Sequence, residues 1–261
     1  MSPESPRTRL RYARQQAIVE HVVAHGSATV ADLTRLTGAS VMTVHRDLDQ
    51  LAARGIVRRF HGGVTAQPST VFESSSEYRM RVQVAQKEAL AAAALAFVDA
   101  GMSILLDDST SALALARRLG PVGPLTVLTN YLPGIDALRG QPDIRLIGIG
   151  GDYSPTHDSF LGIGAQEAVS AHTVDVVFVS SSGIDTAQTF HQEQEVVLVK
   201  RAMLAAGRRR VLLMDSTKIG RTALHRVAPV GDFDHVVLDA DADREFVRQL
   251  REVTDVRIAA R

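Results

Sequence analysis

Apolar positions follow two rhythms along the chain. Up to about residue 66 they recur every three to four residues, the period of amphipathic helices. From Met102 onward short apolar runs alternate with helical stretches. The runs predict strands at Ile104–Asp107, Leu125–Thr129, Ile144–Ile149, Val174–Ser180, Val211–Asp215, His235–Asp239 and Val256–Ala259. Helices are predicted between them at Ser111–Leu119, Leu132–Arg139, Gly162–Ala171, Glu195–Ala206 and Ala242–Val253, after an Ala-rich helix at Glu77–Asp99. Strand–helix alternation of this kind predicts an α/β domain with a mostly parallel sheet covered on both faces.

The N-terminal pattern is finer. Leu10, Ala17, Ile18 and Val22 place a helix over Thr8–His25, closed by Gly26. Thr29 can cap a second helix, with Asp32 as its capping partner and Ala31, Leu33 and Leu36 as its apolar residues. Gly38 ends that helix, and Ser40 caps a third that runs to Arg54 and stops at Gly55. On the third helix Val41, Val44, Leu48 and Leu51 form a stripe expected to be buried, while Met42, His45, Arg46 and Asp49 share the opposite face. A basic strand follows at Ile56–His61, with a Gly62-Gly63 turn before Val64. Two helices across a tight turn and then a basic hairpin describe a small, mainly α winged helix-turn-helix. Its second helix would meet base edges in double-stranded DNA, and its wing the phosphates. The expected organisation is this domain at 1–66 (core 27–54, wing 56–65), a Ser/Thr-rich linker at 67–76, and the α/β domain at 77–261.

The string SVMTVHRDLDQLAARGIVRRFHGGV, from Ser40 to Val64, resembles the signature of the DeoR family of bacterial transcription regulators. Ser40, Thr43, Val44, Arg46, Asp47, Leu48, Gly55, His61, Gly62 and Gly63 match, and His45 stands where the family usually has Arg. The expected DNA-contacting residues are Ser40, Met42, Thr43, His45, Arg46, Arg58, Arg59 and His61. The resemblance continues through Lys87, the Asp107 loop, Thr129-Asn130, Gly150-Gly151, Ser159–Gly162, Gly183–Asp185, Lys200–Met203 and Asp215–Lys218. It implies an effector domain similar to sugar-phosphate isomerases that binds phosphorylated sugars or related metabolites.

Charge adds to this picture. The chain is neutral, with 29 basic and 29 acidic residues, yet residues 1–66 hold nine Arg against five acids, a surplus of four. The remainder carries the matching deficit, as expected when one module faces nucleic acid. There is no Cys, so disulfides and thiolate metal sites are excluded. No apolar run is long enough to span a bilayer, and the basic N-terminus lacks an apolar core behind it. A cytoplasmic, cofactor-free and metal-free protein with no membrane partner is expected. Paired half-sites would call for a homodimer or larger homo-oligomer.

In parallel sheets ligands gather at the carboxyl ends of strands. Those ends carry Asp107-Asp108-Ser109-Thr110-Ser111, Thr129-Asn130, Gly150-Gly151-Asp152, Ser180–Gly183 and Asp215–Lys218. Hydroxyls, glycines and Lys218 suit a phosphorylated, hydroxyl-rich effector. The family's first loop reads Asp-Ser-Gly-Thr-Thr. Ser109 in place of Gly is expected to restrict the backbone at positive φ, and Asp108 to add negative charge beside the phosphate. Lys87, Glu195 and Lys200 are ligand contacts or helix-surface charges, with the surface favoured for Lys87. Two other readings compete with an effector-controlled repressor. One is an isomerase-like enzyme tethered to DNA, with Asp107, Asp108 or Asp185 and Lys218 as its acid–base groups. The other is a constitutive DNA binder with a non-functional pocket.

Overall fold

The computed structural model describes residues 6–53, 57–66 and 76–260. The chain divides into two compact units, Met1–Ser74 and Ser75–Arg261. Arg54, Gly55, Ile56 and residues 67–75, and with them most of the expected linker, lie outside the described residues.

The first unit runs α1 (Pro6–His25), β1 (Ser27–Thr29), α2 (Val30–Thr37), α3 (Val41–Ala53), β2 (Val57–Phe60) and β3 (Gly63–Ala66). Thr29 caps α2 with a reciprocal capping box: its hydroxyl accepts from Asp32 N, and its own N–H donates to the Asp32 carboxylate. Gly38 closes α2 at φ 63°, a left-handed conformation that glycine reaches without steric cost. The core contains Ile18, Val22, Leu33, Val44, Leu48, Leu51, Val57 and Val64. Of the apolar residues expected on these helices, Leu10, Leu36 and Val41 lie outside it, 67%, 46% and 53% exposed, and Ala31 is exposed as well. Asp47 is buried on α3 beside Val44, Leu48 and Leu51, bonded to Arg14 and to Gln15 (3.1 Å) on α1. β1, which the sequence pattern does not show, pairs antiparallel with β3, and β3 with β2.

The second unit opens with α4 (Ser76–Arg79) and α5 (Val84–Ala94). The single helix expected over Glu77–Asp99 is broken by a turn in which Gln83 adopts φ 53°. A seven-stranded sheet follows, formed by β4 (Ser103–Leu106), β5 (Leu125–Thr129), β6 (Ile144–Gly148), β9 (Val174–Val179), β12 (Gly207–Met214), β14 (His235–Leu238) and β15 (Asp255–Ile258). Every pairing is parallel, in the order β15-β14-β12-β9-β4-β5-β6. The helices α6 (Thr110–Ala116), α7 (Leu132–Leu138), α8 (Gly162–Ser170), α9 (Gln194–Ala206) and α10 (Arg244–Leu250) alternate with these strands. Alternate strand residues feed two cores: Leu105, Val177 and Leu212 one, Ile104, Leu106, Val176 and Val211 the other. This is the two-sided burial expected of parallel strands.

The chain leaves β4 toward β5 and β6, then returns to the other side of β4 for β9, β12, β14 and β15. The order therefore reverses between β4 and β9, the place beyond the strand ends where sheets of this topology form a ligand crevice. Small antiparallel additions surround it: the hairpin β7 (Asp152–Ser154)/β8 (Ser159–Leu161), and a sheet of β10 (Gly183–Ile184), β11 (Gln188–His191) and β13 (His225–Pro229). No described helix is long and apolar enough to cross a membrane.

Candidate functional site

Two surfaces concentrate chemistry, one in each unit. In the first, Ser40 precedes α3 and its Oγ accepts from Thr43 N at 3.3 Å and lies 2.9 Å from Thr43 Oγ1. Met42 is 71% exposed, and Arg46, Arg58, Phe60 and His61 are exposed beside it in sequence or on the wing. Exposed Leu36, Val41 and Met42 put apolar atoms around the turn that begins α3. The wing and α3 are tied together: Arg59 pairs with Asp49, and its Nη2 lies 2.7 Å from His45 Nδ1. Gly63 lets the wing close on its neighbours, since a Cβ there would sit 2.4 Å from Ala28 O.

In the second unit the crevice between β4 and β9 holds a buried ionic cluster. Lys200, on the inward face of α9, donates to Asp107 and to Asp108 Oδ1 (3.1 Å). Asp107 also accepts from Ser109 N (3.0 Å) and from Ser180 N (2.8 Å), joining the loops that follow β4 and β9. Asp108 Oδ2 accepts from Ser159 Oγ on β8 at 3.0 Å. Burial opposes ionisation of both partners. Even so, the Lys200 and Arg79 cations hold Asp108 well below the usual carboxylate range, and the two aspartates hold Lys200 above the usual lysine range.

Further cations lie close by. Arg79 donates Nη1 to Asp108 O at 3.1 Å, whereas its Nε and Nη2 are buried with no hydrogen-bond partner. Ser111 Oγ and Asn130 Oδ1 are buried and unpartnered as well, on residues each 1% exposed. The Lys87 amine donates to Arg79 O and to Val82 O (2.8 Å). Burial and the neighbouring Lys218 push its pKa down to about 7. Lys218 Nζ donates to Ser180 Oγ at 3.0 Å and lies 3.7 Å from Asp215. His157 pairs with Glu193 at 2.6 Å, and burial pushes its neighbour His191 down to about 3. Asp107, Asp108, Ser109, Thr110, Ser111, Thr129 and Asn130 are all buried. Among the described residues, no group of three or more His, Cys, Asp or Glu is placed to hold a metal.

Comparison with known proteins now bears on both surfaces. The DeoR C-terminal sensor domain matches residues 82–240, and the DeoR-like helix-turn-helix domain matches residues 14–70. The chain belongs to the DeoR family of transcriptional regulators. It is 32% identical over 240 residues to the uncharacterized HTH-type transcriptional regulator YgbI of Escherichia coli K12, covering 90% of this chain and 94% of that one. It is 28% identical over 228 residues to the glycerol-3-phosphate regulon repressor of the same strain, covering 87% and 90%. Ribose 5-phosphate isomerase A from Neisseria gonorrhoeae overlaps 51% of this chain and 52% of its own at TM-score 0.38 and 16% identity, too slight a likeness to bear on function.

Within this DeoR-family chain the departures from the family loop have definite places. Ser109 sits at φ −88°, so no positive-φ glycine is needed, and its Oγ caps α6 by accepting from Ala112 N at 3.0 Å. Asp108 is not a stray charge, because Lys200 and Ser159 neutralise and bind it. Lys87 is buried, contrary to the surface position expected for it, and Glu195 is exposed. Gly150, Gly151 and Asp152 follow the edge strand β6 and are exposed. Gly151 is required by packing, since a Cβ would meet Leu161 O at 2.4 Å. Arg79 was not singled out from sequence: one arginine in a polar stretch carries no periodic signal. Lys200 did carry one, standing at i+4 from Val196 and i+3 from Val197 in an apolar stripe.

Proposed function

We propose that this DeoR-family regulator is a repressor of a sugar or related catabolic operon, released from its operator by a phosphorylated sugar-like metabolite. Ser40, Thr43, His45 and Arg46 face the major groove with Met42, while Arg58, Arg59 and His61 of the wing meet the backbone. The effector occupies the crevice between β4 and β9. The observation that carries the effector reading is the set of unpartnered buried atoms there: Arg79 Nε and Nη2, Ser111 Oγ and Asn130 Oδ1. Such atoms cost free energy unless a ligand satisfies them. The Nε/Nη2 edge of a guanidinium matches two oxygens of a phosphate, and Lys218 adds positive charge. Ser111, Asn130 and the Asp108 carboxylate suit sugar hydroxyls. The name of the glycerol-3-phosphate regulon repressor is in keeping with a small phosphorylated effector.

Turnover of a sugar phosphate is the weaker reading. It needs a carboxylate able to take up a proton, and Asp107 and Asp108 are both bonded to Lys200.

The test is an operator-release titration of the full chain by fluorescence anisotropy. Its DNA comes from the intergenic region beside the gene, and its ligands are three- to six-carbon sugar and polyol phosphates with their unphosphorylated counterparts. At least one phosphate ester should release DNA and, at a hundredfold excess over its Kd, stabilise the protein by about 2.7 kcal/mol. Arg79→Ala and Arg79→Lys should keep operator affinity and need more effector. Equal potency of the unphosphorylated counterpart would overturn the phosphate assignment.

A further inference from the structure

We propose that His45 reads one base in each half-site as a neutral ring donating from Nε2, and that Arg59 is the positioning residue that sets this state. The inference rests on the DNA-reading role of α3 proposed above and adds the chemistry of one contact.

Arg59 Nη2 lies 2.7 Å from His45 Nδ1. A guanidinium has donors and no acceptor. The ring nitrogen facing it must therefore be the acceptor, with a lone pair on Nδ1 and the proton on Nε2. The arrangement is held from the other side, since Arg59 also pairs through Nη1 with Asp49, one turn beyond His45 on α3. The other carboxylate of this helix, Asp47, is buried and engaged by Arg14 and Gln15, so Asp49 alone orients the guanidinium from α3. The wing thus determines which hydrogen-bonding face the helix offers.

The consequence is a definite base preference. A single donor in the major groove is satisfied by N7 or O6 of guanine, N7 of adenine or O4 of thymine. Cytosine presents an amino donor there and leaves the imidazole N–H unpaired. The arginine usual at this position offers a two-donor fork that selects guanine. His45 replaces selection of one base by exclusion of one base. Arg59 then serves specificity in addition to, or in place of, the phosphate contact expected of a wing arginine.

The experiment is selection of sites from random duplex DNA at pH 7.5 by the full chain, with His45→Ala and Arg59→Ala alongside. Both side chains lie outside the buried core, and thermal melting checks that each variant folds. The wild type should yield a motif with cytosine depleted at one position of each half-site. His45→Ala should lose that depletion, roughly threefold to tenfold in relative affinity, and keep the rest of the motif. Arg59→Ala should weaken the same position, an effect that a phosphate contact does not produce. Recovery of the wild-type motif from Arg59→Ala, with the salt slope lowered by about one, would make Arg59 a phosphate contact and overturn the positioning role. A wild-type motif from His45→Ala would overturn the base contact. Failure of the wild type to select any motif would instead overturn the DNA-reading role itself.

Discussion

Replacing Lys200 with Met removes the cation that touches both Asp107 and Asp108, and leaves two adjacent carboxylates buried. The side chains of Lys200, Asp107 and Asp108 are 4%, 0% and 4% exposed, so solvent screening cannot absorb the loss. Breaking a buried ion pair by deleting one partner costs about 3–5 kcal/mol. Asp107 keeps its bonds from Ser109 N and Ser180 N, and Asp108 its bond from Ser159 Oγ, which limits the loss to that range. For a unit of this size about 2–4 °C of Tm accompanies each kcal/mol, so the expected drop is about 6–20 °C. Scanning calorimetry of the full chain at pH 7.5 measures it, taking the transition of the larger unit. The pH dependence supplies the sign. Asp108 in the wild type is held below its unfolded pKa of about 3.8, so its contribution is present above that pH and lost as pH falls through the lower folded value. In Lys200→Met burial of Asp108 is no longer opposed by Lys200, and its pKa rises from the depressed wild-type value. Protonation of Asp108 then relieves the mutant as the pH is lowered from 7.5 toward 5, and the gap to wild type narrows. Lys200→Met/Asp108→Ser removes one of the two orphaned charges and should recover part of the loss. A drop below 2 °C at pH 7.5, or a gap that widens on acidification, would refute the assignment of this cluster as a buried, mutually compensated ion triad.

Arg58→Ala should weaken binding to all DNA sequences alike and lower the salt slope by about one, as measured by anisotropy across a salt series; an unchanged slope removes this wing residue from the phosphate contacts. Lys218→Ala should leave operator affinity without effector nearly unchanged while raising the effector concentration needed for release. If operator and effector are coupled by about 1–3 kcal/mol, DNA must weaken effector binding by the same factor, and calorimetric titration with and without operator checks that reciprocity. Superimposable release curves for wild type and variant would place the phosphate away from Lys218.

Much of the architecture was legible in the chain because it is local. Capping at Thr29, the glycine stop at Gly38 and the apolar spacing of Val44, Leu48 and Leu51 specify α2 and α3 without reference to distant residues. The seven strands of the main sheet were equally visible, since strands buried on both faces read as continuous apolar runs. The short antiparallel strands β1, β7, β8, β10, β11 and β13 were not, because their two to five residues mix polar and apolar types and form no continuous apolar run. Composition at the strand ends named the rim of the crevice, yet strand order decided which ends meet. The reversal between β4 and β9 brings Asp107 to Ser180, 73 positions apart, and draws Lys200 onto both aspartates. The pairing of Arg59 with His45 likewise required the wing to fold back on α3. Sequence by itself determined the helix-turn-helix, the strands of the main sheet and the chemical character of the rim, all of which follow from residue type and spacing. Tertiary structure alone decided which charges are compensated and which buried polar atoms lack a partner, because burial and partnership depend on residues that only folding brings together.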